Sequence, residues 1–287
     1  VTGVSGTLFV VATPIGNLGD ISGRAIETLR ECDRILAEDT RRTRGLLTHL
    51  RIAGKPVERL DAHASEEDVL RVVRRLVEGE QAALVTDAGT PVVSDPGGRV
   101  VEAAIAAGVR VVPIPGASAV LAALVASGLA ADGRFRFFGF LPRDGSERRM
   151  VLAEVCATPE TSVLFEAPRR TAATLKELGD ATPERGACVA RELTKVHEEV
   201  VRGTLSVLAS EERDWLGEIV IVLGPHAPSR REETIDDAAI DQRIDEGLAR
   251  GDHARTIAER LAVWSGRPKR SVYERVLLRK TKGESGK

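Results

Sequence analysis

Leu84-Val-Thr-Asp-Ala-Gly-Thr-Pro-Val-Val-Ser-Asp-Pro-Gly97 decides how this chain folds. The apolar run from Ala82 to Val85 predicts a buried strand, and it stops at Thr86-Asp-Ala-Gly-Thr-Pro91, residues that break strands. A second break, Ser94-Asp-Pro-Gly97, opens a helix-patterned stretch ending near Gly108. Open α/β sheets hold ligands in such loops, at the carboxyl ends of their strands. This one offers backbone N–H groups, the Asp87 carboxylate and the hydroxyls of Thr86 and Thr90. That set suits a small polar ligand with an amino group or a ribose; an ordinary βα turn is the alternative.

Upstream, Leu8 to Ala12 predicts a first strand, Thr13 to Asp20 a loop, and Ser22 the cap of a helix carrying Ala25, Ile26 and Leu29. Strands are expected at 34–37 and 57–60, and helices at 43–50 and 66–77, the latter with Val69, Leu70, Val73 and Leu76 on one face. Downstream come a strand over 109–114, the turn Pro115-Gly-Ala-Ser118 and an Ala-rich helix to Ala126. This alternation predicts a mostly parallel sheet covered on both faces by helices.

Ser127-Gly-Leu-Ala-Ala-Asp-Gly133 is the candidate linker. Beyond it, strands are expected at 135–140, 162–165, 187–190, 196–201 and 218–223, and helices at 146–156, 170–178 and 205–209. The spacing is less regular, so a mixed sheet is expected. The fold class is therefore two α/β domains, residues 1–127 and 134–228, with a small helical, basic C-terminal extension over 229–287. Three short amphipathic helices fit that extension, the last two joined by Ser265-Gly-Arg-Pro268. Residues 229–246 hold seven acidic and three basic residues, and residues 267–287 eight basic and two acidic. The basic last helix reads either as a phosphate-backbone contact or as a solvated helix.

At 287 residues, with 43% hydrophobic and 29% charged, the chain is long enough for two cores. Aromatics are 3% and net charge is −2, so any nucleic-acid contact must come from local patches and not from the global field. Cys32, Cys156 and Cys188 form no CxxC pair, and the five histidines show no ligand spacing, so neither a disulfide framework nor a metal site is expected. The first apolar run follows no basic segment and is broken by Pro14 and Gly16, and no run approaches a membrane span. A cytoplasmic protein with no membrane association is expected. No GxGxxG or GxxxxGK[ST] pattern supports a dinucleotide or P-loop site.

Three strand-end loops converge: Thr13-Pro14, Asp87-Gly89-Thr90 and Pro115 to Ser118. With Ala37-Glu-Asp-Thr-Arg41, Ser127-Gly-Leu129, Phe138-Gly-Phe-Leu-Pro142 and Ala190-Arg-Glu-Leu-Thr-Lys195 they form ordered blocks across roughly residues 7 to 224. The chain thereby resembles the S-adenosylmethionine-dependent tetrapyrrole methylase superfamily. Pro14-Ile-Gly-Asn17, Glu38-Asp-Thr-Arg41 and Arg191-Glu-Leu-Thr-Lys195 resemble the branch of ribosomal RNA small-subunit methyltransferase I, which methylates a cytidine ribose 2′-hydroxyl in the decoding region of 16S rRNA. Two departures stand out. Phe165-Glu-Ala-Pro-Arg-Arg170 replaces the family's Tyr-Glu-Ser, Pro or Thr, His-Arg, and Gly97-Gly98 replaces a Gly-aromatic pair.

The resemblance implies S-adenosyl-L-methionine folded in a cleft between the two domains, held by Pro14, Gly16, Asp87, Ala88, Gly89, Thr90, Ser118, Ala119, Phe165 and Leu223. It also implies small-subunit rRNA as partner and a homodimer. A 2′-hydroxyl is a poor nucleophile, so a base should assist, and Asp39, Glu166, Glu192 and Lys195 are the candidate catalytic groups. Carboxylates beside arginines also serve as plain ion pairs. Arg41, Arg42, Arg44, Arg169 and Arg170 are the candidate RNA contacts, since arginine binds phosphate in bidentate fashion. The competing functions are methylation of a small tetrapyrrole and non-catalytic RNA binding on the same fold.

Overall fold

The computed structural model describes residues 5–94, 97–130, 132–226, 237–265 and 267–284. Two compact units are present, Val1–His226 and Ala227–Lys287. In the first, five β/α repeats come before Ser127: β1 (Thr7–Val11), α1 (Gly23–Glu31), β2 (Arg34–Ala37), α2 (Thr40–His49), β3 (Val57–Arg59), α3 (Glu66–Val77), β4 (Gln81–Val85), α4 (Gly98–Ala106), β5 (Arg110–Ile114) and α5 (Ala119–Ser127). The strands form one parallel sheet in the order β3-β2-β4-β1-β5.

Alternation along each strand sorts the core into two layers. Leu8, Leu36, Ala82 and Leu84 face Val69, Val72, Val73 and Leu76 of α3 and Val100 and Ala104 of α4. Val11, Ile35, Ala83, Val85 and Ile114 face Ala25 and Leu29 of α1 and Leu47 of α2. Helix starts follow local chemistry. Ser22 accepts a hydrogen bond from the Ala25 amide. At α3 the Ser65 side chain accepts from the Asp68 amide while the Asp68 carboxylate accepts from the Ser65 amide, a reciprocal cap. Helix α2 starts three residues earlier than the apolar pattern suggests, because Asp39 caps it.

The second sheet uses β6 (Phe135–Phe140), β7 (Thr161–Glu166), β8 (Gly186–Arg191), β9 (Glu199–Thr204) and β10 (Ile219–Leu223), in the order β6-β7-β10-β8-β9. Only β6 and β7 run parallel; β10 is antiparallel to both β7 and β8. The sheet is mixed, as the irregular spacing predicts. Helices α6 (Gly145–Ala157), α7 (Pro168–Ala181) and α8 (Leu205–Ser210) cover one face. The other face receives α5: Val120, Ala123 and Leu124 pack with Val163, Cys188, Ala190, Val220 and Val222. The last helix of the first sheet is thus part of the core of the second. All three cysteines are free thiols; burial pushes Cys188 up to about 11.

The second unit is a three-helix bundle of α9 (Asp237–Ala249), α10 (Ala254–Ser265) and α11 (Lys269–Glu284), closed over Ile240, Ile244, Ile257, Val272 and Val276. The charge asymmetry read in the sequence is largely satisfied inside it. Arg275 pairs with Asp237 at 2.9 Å and with Asp241 at 2.6 Å, Arg279 with Asp241 at 2.9 Å and with Asp245, and Arg267 with Asp237 at 2.6 Å. The basic face of α11 lies against the acidic face of α9. Among the described residues no helix is long and apolar enough to cross a membrane.

Candidate functional site

The loops leaving β1, β4 and β5 are bound to one another. The Thr13 amide donates to the Gly89 carbonyl at 2.9 Å and the Gly89 amide to the Thr13 carbonyl at 3.0 Å. Thr13 Oγ1 donates to the Thr86 carbonyl and Thr90 Oγ1 to the Ala117 carbonyl. Gly89 sits at φ +86°, where a side chain is strained, and a Cβ there would touch Ile15 Cγ2 at 3.4 Å. At Gly116 a Cβ would press on that of Ala12 at 3.0 Å. Ser118 spends its hydroxyl capping α5. Gly89, Thr90 and Ser118 therefore build the framework, and Pro14, next to Thr13 in the chain, is buried.

In front of that framework lies a cavity of about 390 Å³ between the two sheets. Ile15, Thr86, Asp87, Ala88 and Ala119 wall it from the first sheet, with Glu38 and Arg42 from the end of β2 and the start of α2. From the second sheet come Phe140, Phe165, Glu218, Ile219 and Val220. Phe165 is fixed edge-on by Phe137, with ring centroids 5.0 Å apart, and packs on Phe140 at 5.3 Å. Asp87 accepts the Asp39 amide at 3.0 Å, and its other oxygen lies 3.5 Å from Arg42 Nε. A second, polar compartment of about 470 Å³ shares the Glu38 and Asp87 walls and adds Asp39, Arg41, Arg59, Asp61 and His63.

Of the residues expected at the cofactor, Asp87, Ala88, Ala119 and Phe165 line this cavity; Pro14, Gly89, Thr90 and Ser118 do not line it, and Gly16 and Leu223 stand farther off. Leu223 is fully buried and pairs with Ser162 and Ala187, at the end of β10 remote from the cavity. Reading β10 as one more strand whose carboxyl end meets the ligand fails because β10 runs antiparallel to β7. Its amino end, Ile219 and Val220, reaches the cavity, about 13 Å away along the strand. Gly16 meets the second sheet's lobe instead: a Cβ there would lie 2.4 Å from Lys195 Cγ and 3.0 Å from the Leu193 carbonyl oxygen. The adjoining Asn17 amide donates to Thr194 Oγ1 at 3.0 Å. The Pro14–Asn17 and Arg191–Lys195 blocks are the two sides of one contact.

Every expected catalytic group has structural partners. Asp39 caps α2 through the Arg41 and Arg42 amides, and the Arg41 hydrogen bond, foremost, holds its carboxyl below the ordinary range. Glu166 is on the second-sheet wall of the cavity but is itself buried: it accepts from the Ala167 amide and from Thr174 Oγ1, both at 2.7 Å, and pairs with Arg170 at 2.6 Å and Arg148 at 3.7 Å. Arg170 also donates to the Leu141 and Pro142 carbonyls, so it is turned inward. Glu192 accepts from Lys195 Nζ at 2.8 Å and from the Glu218 amide at 2.9 Å, and these two hydrogen bonds lower its pKa. Burial pulls the Lys195 ammonium down, but hydrogen bonds to Glu192 and Glu218 outweigh it and its pKa is raised. Lys195 is therefore a fixed cation. Glu192 and Thr194 adopt φ of +49° and +67°, so this turn is strained into place. Arg41, Arg42, Arg44 and Arg169 are exposed.

Glu218 and Glu38 are the carboxylates of the cavity that the sequence reading missed. Glu38 belonged to a block already singled out. Glu218 carried no signal, since only the direction of β10 brings it to the cavity. Phe140 is turned by a bulge at Gly139, φ +66°. In the Ser94–Gly97 break, Asp95 and Pro96 lie outside the described residues.

The family described as Tetrapyrrole (Corrin/Porphyrin) Methylases matches residues 7–209. This chain belongs to that family. It is 44% identical over 273 residues to the Ribosomal RNA small subunit methyltransferase I of Xylella fastidiosa strain Temecula1, covering 93% of this chain and 98% of that protein. It is 41% identical over 272 residues to the protein of the same name from Halalkalibacterium halodurans, covering 93% of both. Among solved structures, a diphthine synthase superposes with a TM-score of 0.59 at 21% identity, over 77% of this chain and 91% of that one. At that identity the likeness speaks for the fold alone.

Proposed function

We propose that this chain transfers a methyl group from S-adenosylmethionine to RNA of the small ribosomal subunit, at the ribose 2′-hydroxyl of a cytidine in the decoding region. The observation that carries the reading is the match, over 93% of the chain, to relatives named for small-subunit rRNA methylation.

The cavity suits the cofactor chemically. Its volume falls in the range of small-molecule sites, and its walls combine apolar and aromatic surface with the carboxylates of Glu38, Asp87, Glu166 and Glu218. Carboxylates at Asp87 and Glu38 suit the cofactor's cationic centres, and the faces of Phe140 and Phe165 attract positive charge as well. Ile15, Ala119 and Val220 supply the apolar enclosure. When bound, S-adenosylmethionine supplies an electrophilic methyl on a sulfonium. The residues of the chain have three tasks beside it: they exclude water, orient the acceptor hydroxyl and take its proton.

Glu218 is the group we assign to the proton. It lines the cavity and is two-thirds exposed, and Lys195 holds it at 3.2 Å. Glu192 and Lys195 act through it as positioning residues. Asp39 and Glu166 are read as structural anions, and Arg170 as the clamp of Glu166. Arg41, Arg42, Arg44 and Arg169 are the proposed phosphate contacts, and the polar compartment beside the cavity is the approach for the RNA. A homodimer acting in the cytoplasm belongs to the same reading.

The test is transfer of labelled methyl from S-adenosylmethionine to unmodified small subunits, followed by nuclease mapping. Label in a 2′-O-methylcytidine is expected. Label absent from subunits and free rRNA, with cofactor binding intact, would overturn the reading. Gly89→Val, which strains the framework loop, is expected to lose cofactor affinity by at least about tenfold while keeping a folded circular-dichroism spectrum.

A further inference from the structure

The bundle of α9, α10 and α11 encloses a cavity of its own. Asp237, Asp241 and Asp245 of α9 are taken up by arginines from α11 and the segment before it. A different stripe of α9, Arg243 and Glu246, with Arg250 just past its end, faces Ile257, Arg260, Leu261 and Trp264 across a cavity of about 360 Å³. The close approach is set at Gly247, where a Cβ would lie 3.0 Å from Ile257 Cδ1. The cavity floor is apolar, with Ile257 and Leu261 buried.

The Arg243 guanidinium lies over the Trp264 ring, 4.1 Å from its centroid. Among the described residues no carboxylate pairs with Arg243, whereas Arg250 and Arg260 share one carboxylate, Asp252, at 3.6 and 2.5 Å. Trp264 remains 37% exposed. A guanidinium stacked on an indole, two further arginines beside it and an apolar floor match the requirements of an unpaired nucleic-acid strand. Bases stack on aromatic and guanidinium planes, and the phosphates are held by cations.

We propose that this pocket binds an unpaired segment of RNA, one base stacking on the Arg243–Trp264 pair and the adjoining phosphates lying on Arg250 and Arg260. The inference rests on the RNA reading given above and adds a second point of attachment outside the methyl-transfer cavity. Pairing with α9 occupies Arg275 and Arg279 of α11, whereas Arg243 beside the α9–α10 pocket has no carboxylate partner among the described residues.

The test titrates the full chain with a short unstructured RNA oligonucleotide and, separately, with a duplex of the same composition. The chain has only two tryptophans, and Trp215 is 4% exposed, so quenching by a bound strand reports on Trp264. Wild type is expected to bind the single strand with quenching and to prefer it to the duplex. Trp264→Ala and, separately, Arg243→Ala are expected to weaken binding about tenfold or more. Arg250→Ala is expected to lower the salt dependence. S-adenosylmethionine affinity should be unchanged in all three. Single-strand affinity equal to wild type in both Trp264→Ala and Arg243→Ala, absence of quenching, or duplex bound as tightly as single strand would each overturn the proposal. These outcomes are separable from failure of the main reading. A wild type that methylates small-subunit RNA with an inert pocket loses only this inference. A wild type that transfers no methyl to that RNA loses the reading itself.

Discussion

The two sheets of the first unit place their site residues by different rules. In the parallel sheet every strand brings its carboxyl end to the same edge, so the residues after β1, β2, β4 and β5 gather there whatever the strand order. In the mixed sheet β7 brings its carboxyl end, Phe165 and Glu166, while the antiparallel β10 brings its amino end, Glu218 to Val220. A strand's sequence identifies it as a strand; its direction within a sheet is a property of the pairing. The first lobe is therefore readable position by position and the second only after its topology is known.

Removing a partner from the second lobe's buried anion should give a large effect on stability. Arg170→Ala leaves Glu166 without its 2.6 Å partner. Because Arg148, Thr174 and the Ala167 amide still hold Glu166, the loss is expected at about 2–3 kcal/mol, to be read from urea unfolding. RNA affinity per folded molecule should not change. A stable variant with weakened RNA binding would return Arg170 to the RNA surface.

The next effect is catalytic. Glu218→Gln keeps the shape of the cavity wall but cannot accept a proton. It should lower kcat about 100-fold or more while S-adenosylmethionine affinity stays within a factor of a few. Lys195→Met, acting through Glu218, should lower kcat less and shift the pH–rate profile. An unaltered kcat in Glu218→Gln would remove the carboxylate of β10 from the chemistry.

The smallest effect belongs to the first lobe and lies far from the cavity. In the α3 cap, hydrogen bonds from Ser65, aided by Arg71, lower the Asp68 pKa from 3.8 to about 2. A group whose folded pKa is depressed contributes stability above its unfolded value and loses it as pH falls through the folded one. Asp68→Asn should therefore have a lower urea midpoint than wild type at pH 6. The gap should close as pH falls from about 4 to about 2. A gap independent of pH would mean the carboxylate charge does not act at this cap.

Much of this architecture is legible in the sequence, and the failures have identifiable causes. Alternation and capping residues locate β2, α3 and β6 to the residue. Helix α2 is read three residues short because Asp39 looks like a catalytic carboxylate, while its observed bonds are those of an N-cap. Gly16 looks like a ligand-approach glycine; what comes close to it is Lys195, some 180 positions away, and no local pattern reports such a pair. The same holds for the Glu166–Arg148 contact and for Glu218. In the bundle, the opposed charge runs are visible in sequence, but that they neutralise each other depends on α9 and α11 packing side by side.

Which end of β10 meets the cofactor can be tested by one calorimetric comparison. S-adenosylmethionine affinity would be measured for Val220→Trp, which fills the cavity, and for Leu223→Ala, which hollows the core at the far end. Val220→Trp is expected to lose cofactor binding. Leu223→Ala should bind like wild type when folded, despite a stability loss of about 2–5 kcal/mol. Retained binding in Val220→Trp with lost binding in folded Leu223→Ala would contradict the assigned site.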